Sequence, residues 1–219
     1  MANRPKETGS GKGGHEFKCS EPAGVAERPP ETKGQRLDGK RIAVIVADGF
    51  EQTEFEVPVR RLREAGATVE VLAQDQAHLQ HIEGESHGKP AAGTKADKLL
   101  SAARPEDYDG LLIPGGLKSP DTMRQSQAHL NFVKAFVEAD KPIAAICHGP
   151  WLLADADALK GKTMTSWPAI RRDVERAGAT WLDQAVVTDG VMVFSRKPAD
   201  AEVFADTFIG KLAAVPARG

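Results

Sequence analysis

Residues 40–75 read KRIAVIVADGFEQTEFEVPVRRLREAGATVEVLAQD, and two periodicities within them set the fold. Positions 42–47, IAVIVA, form an unbroken apolar run rich in β-branched residues, the composition of a strand covered on both faces rather than wetted on one. After Gly49 the period changes. Phe55, Val59 and Leu62 recur at helical spacing, Thr53 stands where an N-cap belongs, Pro58 lies close to the first turn, and Gly66 stops the helix. TVEVLAQD, 68–75, is a second strand. Strand, helix and strand in this order make a βαβ unit, which places both strands in a parallel sheet.

Outward from this unit the alternation continues. Residues 75–97 are polar and Gly-rich and suit a surface hairpin or long loop. DYDGLLIPGG, 107–116, gives a strand ending in a Gly pair, and SPDTMRQSQAHLNFVKAFVEAD, 119–140, gives a helix with Leu130, Val133 and Val137 on one face. KPIAAI is another strand and PWLLADADAL opens another helix. Then come KTMTSW, a helix in PAIRRDVERAG, short strands in ATWLD, AVVTD and VMVFS, and a last helix from about Pro198 to Leu212. The pattern predicts an α/β fold: a flavodoxin-like three-layer sandwich, mostly parallel, with helices on both faces of the sheet. Residues 1–38 are rich in Gly, Pro, Lys and Glu without apolar periodicity, which predicts a disordered N-terminal tail, a domain over 39–214 and a short C-terminal tail over 215–219.

Acidic and basic residues nearly cancel, for a formal net charge of −2, so there is no basic field to hold a phosphate backbone or an anionic membrane. The apolar runs are shorter than a bilayer requires. Neither nucleic acid nor a membrane is expected as a partner. Cys19 and Cys147 stand in unlike contexts, which argues against a disulfide framework and for a reducing compartment, the cytoplasm.

In a sheet of this kind ligands bind beyond the carboxyl ends of the strands. Three loops there carry unusual residues: GFEQTE (49–54), PGGLKSPD (114–121) and CHGP (147–150). IAAICHGPWLL passes from strand to helix within a few residues, Gly149 lacks a Cβ that would block a close approach, and Pro150 suits the first helical position. Cys147 stands at the bend, in the manner of a nucleophile elbow, where unpaired amides and the helix dipole would favour the thiolate. Equally, a free cysteine between apolar runs can be plain core. Pro-Gly-Gly can turn the amide of Gly116 or Leu117 toward the elbow, beside the amide that follows Cys147, as an oxyanion hole; it can also be only a tight turn. Glu51, Glu54 and Glu56 cluster at the entrance of the first helix. Glu54, next to core-facing Phe55, is the carboxyl best placed to lean toward the thiol, while complementarity with the helix N-terminus accounts for the other two.

AAICHGPWLL, together with ADGFEQTE, LLIPGGLKSPD, TSWPAIRRDVERAGATW and SRKPAD, resembles the ThiJ/PfpI family, and within it the PfpI-like intracellular peptidase and general stress branch. The likeness covers residues 40 to about 213. It implies that Cys147 is the nucleophile of a Cys-His-Gly elbow, that Glu54, four residues before Pro58, shares a proton with it, and that His148 is the adjacent histidine of that branch. It also implies that Asp121, after the Gly-Gly loop, reaches His148 of a neighbouring subunit in a homodimer or larger oligomer. Gly116 and the amide of His148 would form the oxyanion hole. His148 is the last histidine of the chain, which disfavours the triad of the class I glutamine amidotransferases, whose catalytic histidine lies well after the nucleophile.

The resemblance implies a cofactor-free, cysteine-dependent stress enzyme acting on small reactive carbonyls or their protein adducts, of glyoxalase III or deglycase type. Peptidase activity is the nearest alternative, and a redox-sensing stress protein or chaperone without turnover is the alternative of another class. Trp151, Trp167 and the polar loop would shape specificity. Metal binding by His78, His81 and His87 with Glu83 and Glu85 is a weaker reading, since no fixed element pre-arranges them, and no metal is expected.

Overall fold

The computed structural model describes residues 35–216. Most of the segment expected as an N-terminal tail, and Cys19 with it, lies outside the described residues. In chain order the elements are β1 (Arg41–Ile45), β2 (Phe50–Glu51), α1 (Gln52–Glu64), β3 (Thr68–Ala73), β4 (Ile82–Ser86), β5 (Lys89–Thr94), β6 (Lys98–Leu99) and β7 (Gly110–Ile113). They continue as α2 (Lys118–Arg124), α3 (Gln127–Glu138), β8 (Ile143–Ile146), α4 (Pro150–Asp155), β9 (Thr163–Met164), α5 (Arg171–Arg176), β10 (Thr180–Trp181), β11 (Val186–Asp189), β12 (Met192–Ser195) and α6 (Ala201–Ala214).

Seven strands form the central sheet in the order β11-β12-β8-β7-β1-β3-β6, with every pair parallel except β11 against β12. Among the five inner parallel strands the order β3-β1-β7-β8-β12 reads 2-1-3-4-5 in chain sequence, the flavodoxin-like order. Its switch point falls between β1 and β7, where connections leave in opposite directions and open a crevice at the strand ends.

The strands are continuous apolar runs because both faces are covered. Ile42, Val44, Val71, Leu112, Ala144, Ile146 and Val193 point into one core with Phe55, Leu62, Phe204 and Phe208 of α1 and α6. Their alternate neighbours, Ala43, Ile45, Leu72, Leu111, Ile113, Ala145 and Phe194, point into a second core with Met123, Phe136, Leu152 and Val174 of α2 to α5. In β7 and β8 the period-2 alternation of a strand therefore carries no polar positions, whereas β3 keeps Thr68 exposed and Glu70 half-buried. The polar stretch after β3 forms the β4–β5 antiparallel hairpin, and β2 joins its edge in parallel.

Four local expectations are corrected. Thr53 lies inside α1, whose N-cap is Glu51 with no side-chain cap bond. The single helix expected over 119–140 is two, because the chain becomes extended at Ser126 (φ −98, ψ 114), the N-cap of α3. The buried face of α3 is His129, Phe132, Val133 and Phe136, with Leu130 and Val137 only half-buried, since the larger aromatic rings take the core side. Leu37, within the stretch expected as tail, is buried against α1 and β3, and its amide donates to the Ala65 carbonyl at 2.7 Å.

Candidate active site

The ends of β1, β7 and β8 bring the three loops together. β8 ends at Ile146, and Cys147 takes φ +62, a left-handed conformation that a non-glycine residue adopts at a cost of about 1 to 3 kcal/mol. Both backbone groups of Cys147 are held: its amide donates to the Ser195 carbonyl at 3.0 Å, and its carbonyl accepts from the Trp167 amide at 2.9 Å. The following turn passes so close to β7 that a Cβ on Gly149 would lie 2.6 Å from the Ile113 carbonyl oxygen, which is why glycine precedes Pro150 at the start of α4. The elbow read from CHGP is thus formed.

The Gly pair after β7 is more than a turn. A Cβ on Gly115 would stand 2.5 Å from both the Cys147 Cβ and Glu54 Oε2, so the nucleophile and the carboxyl approach each other across this residue. Gly116 has φ +87, and a Cβ there would meet the Gly49 carbonyl oxygen at 2.4 Å. The Gly115 amide donates to Glu54 Oε2 at 3.1 Å, while the amides of Gly116 and His148 face the Cys147 sulfur. These are the two donors expected for an oxyanion hole.

Glu54, in the first turn of α1, is 0 % exposed. Burial, reinforced by the negative charge of Glu51, pushes its carboxyl up to about 8, so it holds a proton at neutral pH. Burial likewise pushes the Cys147 thiol up, and an ionised Glu54 would push it further, against the pull of the two amides. Against the expectation that the following helix favours the thiolate stands this burial, and α4 has only six residues. The two groups form one coupled pair.

His148 Nδ1 lies 3.3 Å from the Cys147 sulfur, with its ring 5.0 Å from Trp151 and 6.3 Å from Trp167. Burial lowers its pKa. Asp121, on α2, is exposed; its carboxyl accepts from Gln125 at 3.5 Å and its charge acts on Arg124, and it does not line the cavity over Cys147. The structure therefore brings together Cys147, His148, Glu54 and Gly116 and leaves Asp121 apart.

A cavity of about 450 Å³ opens above the cysteine. Glu51, Glu54, Gly116, Cys147 and His148 form its polar base, and Leu117 and Trp167, the two exposed large apolar side chains of the described residues, stand on its wall. His87 and Gly88 from the β4–β5 hairpin and Lys197 to Ala199 complete it. Trp151 does not line it: its indole donates to Asp173 at 2.9 Å and lies beneath the Arg124 guanidinium. Sequence reasoning missed Glu51, His87 and Lys197 as wall residues. The only signals were Glu51 within the acidic cluster and Lys197 within SRKPAD. Two of the three clustered glutamates are buried at the site, and only Glu56 is the exposed kind that complements a helix end. The histidines of the hairpin region do not converge, since His78 bonds Asp75 at 2.7 Å and Asp48 at 3.2 Å, and among the described residues no group of three or more potential ligands could hold a metal ion. Nor is any helix of the described residues long and apolar enough to cross a membrane.

Comparison with known proteins bears on the family and the fold. Residues 40–211 match the model of the DJ-1/PfpI family. The chain is 45 % identical over 165 residues, 75 % of its length and 94 % of the relative's, to a Bacillus subtilis protein named "Putative cysteine protease YraA". It is 41 % identical over 169 residues, 77 % of its length and 96 % of the relative's, to an uncharacterized protein of Archaeoglobus fulgidus. Among solved structures, Drosophila melanogaster DJ-1beta superposes with a TM-score of 0.73 at 28 % identity, covering 82 % of this chain and 92 % of that one. A two-domain Anabaena variabilis protein with DJ-1/ThiJ/PfpI-like and ferritin-like domains superposes with a TM-score of 0.74 at 35 % identity, covering 79 % of this chain; this chain spans about half, 48 %, of that one. The chain belongs to the DJ-1/PfpI family.

Proposed function

We propose that this protein is a cysteine-dependent enzyme that acts on small reactive carbonyls or on the adducts they form with proteins, using Cys147 as nucleophile and no cofactor. The observation that carries the reading is the meeting of a left-handed Cys147 with a fully buried, proton-holding Glu54 across Gly115, under two backbone amides. In the proposed sequence the Cys147 sulfur attacks an aldehyde carbon, a C–S bond forms, and the carbonyl electron pair moves onto oxygen between the amides of Gly116 and His148. The thiol proton passes to His148 Nδ1, 3.3 Å from the sulfur, as the S–H bond breaks, and proton transfer from Glu54 to the alkoxide gives a hemithioacetal; His148 returns its proton when the thiol is restored. With methylglyoxal, Glu54 or His148 then carries the C1 proton to C2 through an enediol, leaving a lactoyl thioester, and water releases lactate and restores the thiol. Methylglyoxal plus water gives lactate, with no external oxidant or reductant.

Two features extend the reading. Asp121, exposed and outside the cavity of its own chain, is assigned to His148 of a second copy in a homo-oligomer. The same nucleophile and oxyanion donors suit amide cleavage, and the likeness to the protein named as a cysteine protease favours peptidase activity as the second reading. The test is lactate formation from methylglyoxal, alongside cleavage of unmodified peptides, by the parent chain, Cys147→Ala and Glu54→Gln. Loss of lactate formation in both variants is expected. Turnover that survives Cys147→Ala overturns the enzymatic reading, and peptide cleavage without lactate formation selects the peptidase. If the parent chain turns over neither and only peroxide oxidation of Cys147 is seen, the protein is a sensor.

A further inference from the structure

The proposed chemistry leaves one buried group of the cavity unused. Glu51, the N-cap of α1, is 7 % exposed. Its Oε2 accepts from the His87 amide at 3.0 Å, which fixes the carboxylate, while its Oε1 is shielded from water and has no hydrogen-bond partner. Glu54 Oε1, on the same cavity wall, is also buried without a partner. No lysine or arginine of the described residues forms an ion pair with Glu51. Lys197 stands exposed on the wall, where water solvates its charge, and Lys118 is paired with Glu85. A buried carboxylate oxygen with neither donor nor counter-charge is costly, and a ligand that supplies both would remove the penalty.

We infer that Glu51 is a recognition site for a protonated primary amine, so that substrates presented to Cys147 carry an ammonium group close to the carbonyl. An ammonium has three donors in a compact group, enough to reach both unpartnered oxygens, and its charge offsets that of Glu51; a hydroxyl supplies the hydrogen bond without the charge. Glu51 and Cys147 line the same cavity of about 450 Å³, so one small molecule can meet both. The inference rests on the reading that Cys147 attacks a carbonyl, and it adds a consequence. A carbonyl compound that carries no cation lacks this anchor and is the poorer substrate.

Charge-matched thiol reagents test this without turnover. The methanethiosulfonates with 2-aminoethyl, methyl and 2-sulfonatoethyl groups react alike: the thiolate attacks the sulfenyl sulfur, an S–S bond forms and methanesulfinate leaves with the electron pair. Rates at Cys147 in a Cys19→Ser background, each divided by that of free glutathione, should favour the aminoethyl over the methyl reagent by about ten-fold or more. Glu51→Gln should bring that ratio to about one, and Glu83→Gln, on the exposed hairpin, should leave it intact. As a measurement that needs no variant, ethylammonium chloride should slow the aminoethyl reagent where potassium chloride at equal ionic strength does not. A ratio near that of glutathione, a ratio unchanged in Glu51→Gln, or no competition by ethylammonium overturns the inference. Failure of the carbonyl reading shows separately, as absent turnover of both methylglyoxal and an aminoaldehyde with the aminoethyl preference intact.

Discussion

Replacing Glu54 with glutamine removes a buried ionisable group at nearly constant shape, and the structure fixes how the effect must vary with pH. The Glu54 carboxyl is raised from 4.5 to about 8 in the folded chain, chiefly by burial. An acid raised on folding contributes most below its unfolded value, and stability is lost as pH climbs from there through the folded value. Relative to a non-ionising side chain, the loss is about 1 kcal/mol at pH 5, about 3 kcal/mol at pH 7 and about 5 kcal/mol at pH 9. Relaxation around an ionised carboxylate reduces this, and a difference of about 2 to 4 kcal/mol between pH 5 and pH 9 should remain. Glutamine keeps an acceptor for the Gly115 amide but brings an NH₂ group toward the Cys147 sulfur, a penalty that does not depend on pH. The quantity to follow is therefore the change in the parent-minus-variant difference across urea unfolding curves at pH 5, 7 and 9. Glu54→Gln should gain on the parent steadily as pH rises. A difference that stays flat, or that moves in favour of the parent at high pH, would refute the claim that Glu54 is held neutral by burial.

The glycine and tail residues give further tests. Gly115→Ala forces a methyl to 2.5 Å from Cys147 Cβ and Glu54 Oε2, and should lower stability by about 1 to 3 kcal/mol and abolish turnover together, whereas Gly161→Ala, with open space around it, should keep turnover and lose only the left-handed backbone penalty. Leu37→Ala should lower unfolding free energy by about 2 to 5 kcal/mol, because the side chain is 1 % exposed; a neutral result would place residue 37 in the tail after all. Asp121→Ala should leave thermal stability of the isolated chain within about 0.5 kcal/mol and lower turnover only in the oligomer, read by sedimentation beside kinetics.

The fold was legible because its main determinants are local. The apolar run 42–47, the Phe55, Val59, Leu62 spacing and the strand at 68–73 need only periodicity to be seen, and the inner strands β7 and β8, covered on both faces, carry no polar side chain to confuse the pattern. The elbow at Cys147 was legible for the same reason: a strand, a glycine and a proline announce the turn. What escaped depends on which surfaces meet. The break at Ser126 divides α2, which packs on α4 and β2, from α3, which packs on α4 and β7, and it is His129 rather than Leu130 that α3 buries. Glu51 looks like an ordinary first-turn acid until the hairpin carrying His87 closes over it. The thiol of Cys147 shows the point most clearly, since the helix that follows it can be read from the chain but the burial that raises the thiol cannot.

The central claim is that Cys147 and Glu54 act as one proton-sharing pair, and the pH dependence of Cys147 alkylation by iodoacetamide tests it directly. In a Cys19→Ser background the midpoint should lie well away from the value of about 8.5 of a free thiol, and Glu54→Gln should move it by at least about one unit. A midpoint at the free-thiol value that is the same with and without the Glu54 carboxyl would contradict the account.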